Sequence, residues 1–104
     1  QLGGVAVMLA AGLAVAPADA LAADPPRYDM DAYCRSVGDA GGGSYQIEKT
    51  CRDQETSARR WIARTAISAR IMRYCEGVGQ SVGGSYQIFK TCVQQEQNAR
   101  DGMR

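Results

Sequence analysis

The sequence predicts an all-α protein: two tandem disulfide-closed helical hairpins packed as a small four-helix domain. Three observations predict it. A ten-residue stretch occurs twice, as GGSYQIEKTC at 42 to 51 and as GGSYQIFKTC at 83 to 92. Each copy follows a Tyr-Cys pair, Tyr33-Cys34 and Tyr74-Cys75, so the unit is a cysteine, sixteen residues and a second cysteine, with glycines at its middle. On both sides of those glycines apolar residues recur at helical spacing.

Aligned at an offset of 41, residues 33 to 63 and 74 to 104 agree at 17 of 31 positions without a gap. A period of that length marks a repeated supersecondary unit. In an antiparallel hairpin, residues equidistant from the turn lie at the same height. Cys34 and Cys51 are equidistant from the first glycine pair, Cys75 and Cys92 from the second, and this symmetry selects Cys34 with Cys51 and Cys75 with Cys92.

Residues 2 to 16 are apolar and uncharged, and Pro17 and a small-residue run through Ala22 follow. This pattern is that of the apolar region and cleavage site of a secretory signal peptide without its charged start. The expected division is therefore 1–22 signal peptide, cut after Ala20 or Ala22, 23–29 linker, 30–63 first hairpin and 64–104 second hairpin. The other reading, a membrane anchor, needs ~20 apolar residues, more than this run supplies. No cysteine follows the cleavage region to carry a lipid.

The whole chain has 12 Lys+Arg and 11 Asp+Glu. Near-neutral charge gives no global drive towards nucleic acid, and no nucleic-acid partner is expected. A mature chain of this size buries only ~60 to 65% of its unfolded surface, so a core alone is marginal. Disulfides formed after export are the natural supplement, each worth ~3 kcal/mol in the chain-entropy account.

In chain order, Asp24-Pro25-Pro26 reads as linker, and Asp29 or Asp31 as the N-cap of a helix beginning near Met30. Met30, Tyr33, Cys34, Val37 and Gly41 form its core stripe; Ile67, Ile71, Tyr74, Cys75, Val78 and Val82 do so in the second copy. Gly38 and Gly79, one turn after a cysteine, predict close approach of the partner helix. Ser44 and Ser85 are positioned to cap the second helix of each hairpin. With Cys51, the residues Ile47, Gln54, Ala58, Trp61 and Ile62 make one stripe, matched around Cys92 by Ile88, Gln95, Ala99, Gly102 and Met103. Glu55 with Arg59 and Glu96 with Arg100 have the spacing of surface helix pairs. Because Ile67 and Ile71 fall opposite Ala58 and Ile62 on a continuous helix, a break is expected between Arg64 and Ser68, capped by Thr65 or Ser68. The hairpins are expected to pack through their disulfide faces.

The sequence contains no histidine, which removes Ser-His and Cys-His nucleophilic pairs. It has no Cys-x-x-Cys redox motif, its cysteine intervals of 17, 24 and 17 do not suit a structural zinc site, and Gly41 to Gly43 lack the ending of a phosphate loop. No cofactor is implied. Glu48, Glu55 and Glu96 are the acids available to a hydrolase, but no second acid is placed to define a pair. Two features are open to function. The repeated Tyr45-Gln46 and Tyr86-Gln87 beside the turns serve either turn packing or recognition. Arg59, Arg60, Arg64, Arg70 and Arg73 around Trp61 are either solvated helix faces or an anionic contact.

Through its twin Cys…GGSYQI…KTC units the mature chain resembles a group of small exported proteobacterial proteins of unknown function. That resemblance implies export and paired disulfides, and no catalytic residues. The expected role is an exported, non-enzymatic binding or structural module of the bacterial cell envelope, periplasmic or secreted, with an envelope protein or polymer as its partner. The alternative is a cationic envelope-surface or membrane-associating protein acting through residues 59–73.

Overall fold

A computed structural model describes residues 24–104; the signal-peptide reading falls outside them. Four helices form, α1 Met30–Ala40, α2 Tyr45–Ala63, α3 Ala69–Ser81 and α4 Tyr86–Gly102, and the described residues contain no strand. Each helix opens on a side-chain cap. Asp29 accepts from the Ala32 amide at 3.0 Å, Ser44 from Ile47 at 3.1 Å, Ser68 from Ile71 at 3.3 Å and Ser85 from Ile88 at 3.1 Å. Each cap satisfies a backbone donor that the first turn leaves without an intrahelical partner. The expected break occurs where the periodicity places it: α2 stops at Ala63 and Ser68 starts α3. Thr65 instead closes α2, its hydroxyl donating to the Trp61 carbonyl.

The two hairpin turns use the same backbone device. The Gly38 carbonyl accepts from the Gly43 and Ser44 amides at 2.9 and 3.1 Å, and the Gly79 carbonyl from Gly84 and Ser85 at 3.0 and 3.3 Å. Gly42 and Gly43 (φ 84° and 84°) and Gly83 and Gly84 (φ 99° and 94°) supply the left-handed conformations this requires. At Gly38 a Cβ would sit 3.0 Å from the Glu48 Cβ and 3.0 Å from the Ser44 carbonyl oxygen, so the missing side chain is what lets α1 approach α2. The bonds Cys34–Cys51 and Cys75–Cys92 close the hairpins with Cα atoms 5.5 and 5.6 Å apart. Both pairings are those selected by symmetry.

The hairpins join through α2 and α4. Ala58 and Ile62 of α2 meet Tyr86, Phe89, Cys92 and Val93 of α4 and Ile71, Met72 and Cys75 of α3 in one buried cluster. That cluster contains the second disulfide and not the first. The expectation of packing through both disulfide faces is therefore corrected: the first hairpin docks by the C-terminal half of α2, beyond its own disulfide.

The stripes change accordingly. Phe89 and Val93 are fully buried, whereas Met103 is 81% exposed, Tyr74 58%, Val82 47% and Ile47 40%; Gly41, Gln54, Gln95, Ala99 and Gly102 are exposed as well. Repeat symmetry was the reason for the misplacement, because it assigned α4 the inner face of α2. In the structure α2 turns Ala58 and Ile62 towards the partner hairpin, while α4 turns Phe89 and Val93 back towards α2. Burying Phe89 alone contributes about 1.5 to 3 kcal/mol.

Three positions record this difference. Met72, Phe89 and Val93 line the buried side of the second hairpin, and their counterparts at the offset of 41 are Asp31, Glu48 and Arg52. Arg52 donates to both acids, to Glu48 at 2.8 Å and to Asp31. Where the second hairpin has an apolar socket, the first has a solvated ion-pair triad.

Candidate functional site

Glu55 lies one turn after Cys51 and one turn before Ala58, on the inner face of α2, and is 1% exposed. Its carboxylate accepts from the Ser85 hydroxyl at 2.8 Å, the Tyr86 amide at 2.6 Å and the Gln87 amide at 3.1 Å. A negative charge thus sits on the positive end of α4, with both oxygens occupied. The expected surface pair with Arg59 is replaced by this contact between hairpins. Water is excluded at Glu55, and the amide donors of α4 reach its carboxylate directly while the Arg59 guanidinium stands over the Tyr86 ring. An acid within an apolar stripe was the available signal. The second expected pair also differs: Arg100 bonds Asp101 at 3.2 Å rather than Glu96.

Residues 24–29, expected as linker, reach the second hairpin. Pro26 is buried. The Tyr28 amide donates to the Tyr86 hydroxyl at 3.1 Å, and the Tyr28 hydroxyl donates to the Glu76 carbonyl at 2.9 Å. Its ring lies 5.1 Å from that of Tyr86 and 6.4 Å from that of Phe89. Gly79 and Gly84 make room for it, since a Cβ at Gly84 would lie 3.2 Å from the ring and one at Gly79 would overlap the hydroxyl. Burial, then the nearby Glu76, Tyr86 and Glu55, push the Tyr28 phenol up to about 12. Nothing in the periodicity marks Tyr28, because it lies outside the repeat.

The two copies of the Ser-Tyr-Gln motif have separated in role. Tyr86 is 5% exposed beneath Tyr28, whereas Tyr45 is 87% exposed. Gln46 and Gln87, in contrast, converge: both line one open cleft of about 360 Å³ between the hairpins, together with Gln54. Val37, Ile47 and Ile88 give that cleft its apolar lining, and Glu55 and Ser85 lie at its inner end.

The arginines expected to meet an anion, Arg59, Arg60, Arg64, Arg70 and Arg73, are all exposed, and none forms an ion pair among the described residues. Arg59 stands over the Tyr86 ring at 6.0 Å. Trp61 is half-buried under the Lys90 ammonium at 5.5 Å, so its ring faces a cation of α4. No helix among the described residues is long and apolar enough to cross a membrane.

Fold and site together define a domain of two tandem helical hairpins in which each hairpin has its own disulfide and one buried carboxylate joins the two. Comparison with known protein families, with curated proteins and with solved structures finds no match.

Proposed function

We propose that the protein is an exported, non-enzymatic binding module of the bacterial cell envelope, working in an oxidising compartment. The observation that supports this reading is that all four cysteines are spent in two disulfides, one per hairpin. Such bonds form and persist outside the reducing cytosol. Binding, rather than scaffolding alone, is supported by the cleft between the hairpins, which both copies of the repeated glutamine line. The test is to fractionate cells producing the native precursor and to trap free thiols with a maleimide before lysis. Recovery outside the cytoplasm with no alkylated cysteine is the expected result; a cytoplasmic, fully alkylated protein rejects the proposal.

A second reading rests on the five exposed arginines that form no ion pair among the described residues. In it the corner between α2 and α3 contacts an anionic envelope surface. Arg60 in the last turn of α2 also complements the helix dipole, but Arg70, in the first turn of α3, works against it. Binding to anionic vesicles that is strong at low salt and lost at raised salt would favour this mode. Salt-independent or absent binding leaves the cleft as the binding element.

A further inference from the structure

We infer that the cleft between the hairpins is a binding site for a short, uncharged peptide segment, with Gln46, Gln54 and Gln87 as the groups that read its backbone. The inference deepens the binding-module reading and rests on it for biological meaning only. The cleft has about 360 Å³ of open volume, within the range of small-ligand sites, about 300 to 1,000 Å³. Its lining is chemically narrow. The one ionisable carboxylate among the lining residues, Glu55, is 1% exposed and has three donors of its own, so its charge is compensated within the fold and it offers an incoming ligand no accessible oxygen. A charged ligand would lose its hydration there without finding a counter-ion.

Beside the hydroxyls of Tyr33 and Thr50, what remains is three primary carboxamides around an apolar floor. Each presents a carbonyl acceptor beside an NH2 donor, the same pair of functions that a peptide unit presents in reverse, so one glutamine can satisfy one peptide group with two hydrogen bonds. Ile47 and Ile88, from the first turns of α2 and α4, offer a surface to one apolar side chain between those polar contacts. Preorganisation comes from the fold. Gln87 is held through its backbone amide, bonded to Glu55 at 3.1 Å, and Gln46 follows the Ser44 cap by two residues. A sequence motif duplicated on separate hairpins thus reaches one site from two directions.

The test is a titration of the oxidised, isotope-labelled protein with acetyl-Ala-Leu-amide, following the side-chain NH2 signals of the glutamines by NMR. Saturable shifts at Gln46, Gln54 and Gln87 are expected. Each Gln→Ala replacement at 46 or 87 should weaken binding about threefold to tenfold, the effect of losing one or two modest hydrogen bonds. Thr50→Arg, on an exposed turn of α2 that lines the cleft, should fill it and abolish the shifts while leaving the helical spectrum intact. Absence of shifts overturns the inference, as do shifts that survive Thr50→Arg. Equal or stronger response to acetyl-Glu-Glu-amide, or response to N-acetylglucosamine and not to the peptide, also overturns it. None of these outcomes depends on cellular location, so they are separable from failure of the thiol-trapping experiment.

Discussion

Glu55 and Tyr86 are 31 residues apart and joined by the shortest hydrogen bond between the hairpins, 2.6 Å from amide to carboxylate. The contact couples a helix interior in one repeat to a helix start in the other. Glu55→Gln keeps the shape and one acceptor, but turns an NH2 group towards donors. A loss of about 2 to 4 kcal/mol is expected, from charge-assisted bonds broken and donors left buried without partners. Denaturant melts would measure it. Glu96→Gln, at the equivalent position of the second repeat, should shift stability by no more than about 0.5 kcal/mol.

The tyrosines of the repeat give a second asymmetric pair. Tyr86→Ala removes a buried ring that packs against Tyr28, and should cost about 3 to 5 kcal/mol. Tyr45→Ala, at a site 87% exposed, should be nearly silent in the same melts. Equal costs would contradict the asymmetric packing of the two tyrosines.

Reduction should be severe. With about 3 kcal/mol for each disulfide and a total of about 5 to 15 for a domain of this kind, melts with and without reductant should differ by tens of degrees. Superimposed melts would mean that the apolar cluster alone holds the helices.

Alkaline titration should single out Tyr28. Its folded pKa, about 12, lies above the ordinary 10.0, so the folded state favours the neutral phenol. The stability this contributes is full below pH 10 and is lost as pH rises through 12. Among the five tyrosines, a late-ionising one should appear in the tyrosinate absorbance and vanish in Tyr28→Phe.

Much of this architecture was legible in the residues themselves. Serine before each helix, glycine pairs at the turns and cysteines equidistant from them are local signals, and local signals survived into the structure. The conflict between Ile67 and Ile62 on one helical wheel located the break in the same way. What could not be read was which repeat docks on which. Identity between copies implies equivalent faces on α2 and α4, while the docking sets the C-terminal half of α2, through Ala58 and Ile62, on the N-terminal half of α4, so the periodicity marks Ala99 and Met103 and passes over Phe89 and Val93. The cleft was half legible: Gln46 and Gln87 stood out by repetition, but their convergence depends on how the hairpins dock. Tyr28 carried no periodic signature at all, because it acts from outside the repeat on glycines 51 and 56 residues further along.

Exchanging the socket for the triad tests the docking surface directly. Phe89→Glu with Val93→Arg reproduces on α4 the side chains found at the matching sites of α2. The double variant should keep each disulfide-closed hairpin helical, yet lose hydrogen-exchange protection at Tyr86 and Gln87, whose amides Glu55 holds. Retained protection would show that the apolar socket is not what keeps α2 on α4.

Duplicated units have a counting problem: if every copy offers its neighbour the same surface, nothing tells growth when to halt. Here the answer is carried by Asp31, Glu48 and Arg52, the arginine donating to both acids, where Met72, Phe89 and Val93 would receive another helix. A like hairpin arriving at that side would have to strip water from three charges already satisfied, and would gain no apolar contact in return. The chain therefore has a direction, with one hairpin that receives and one that only inserts. Mixed as separate pieces, unlike hairpins should find each other and like ones should stay apart.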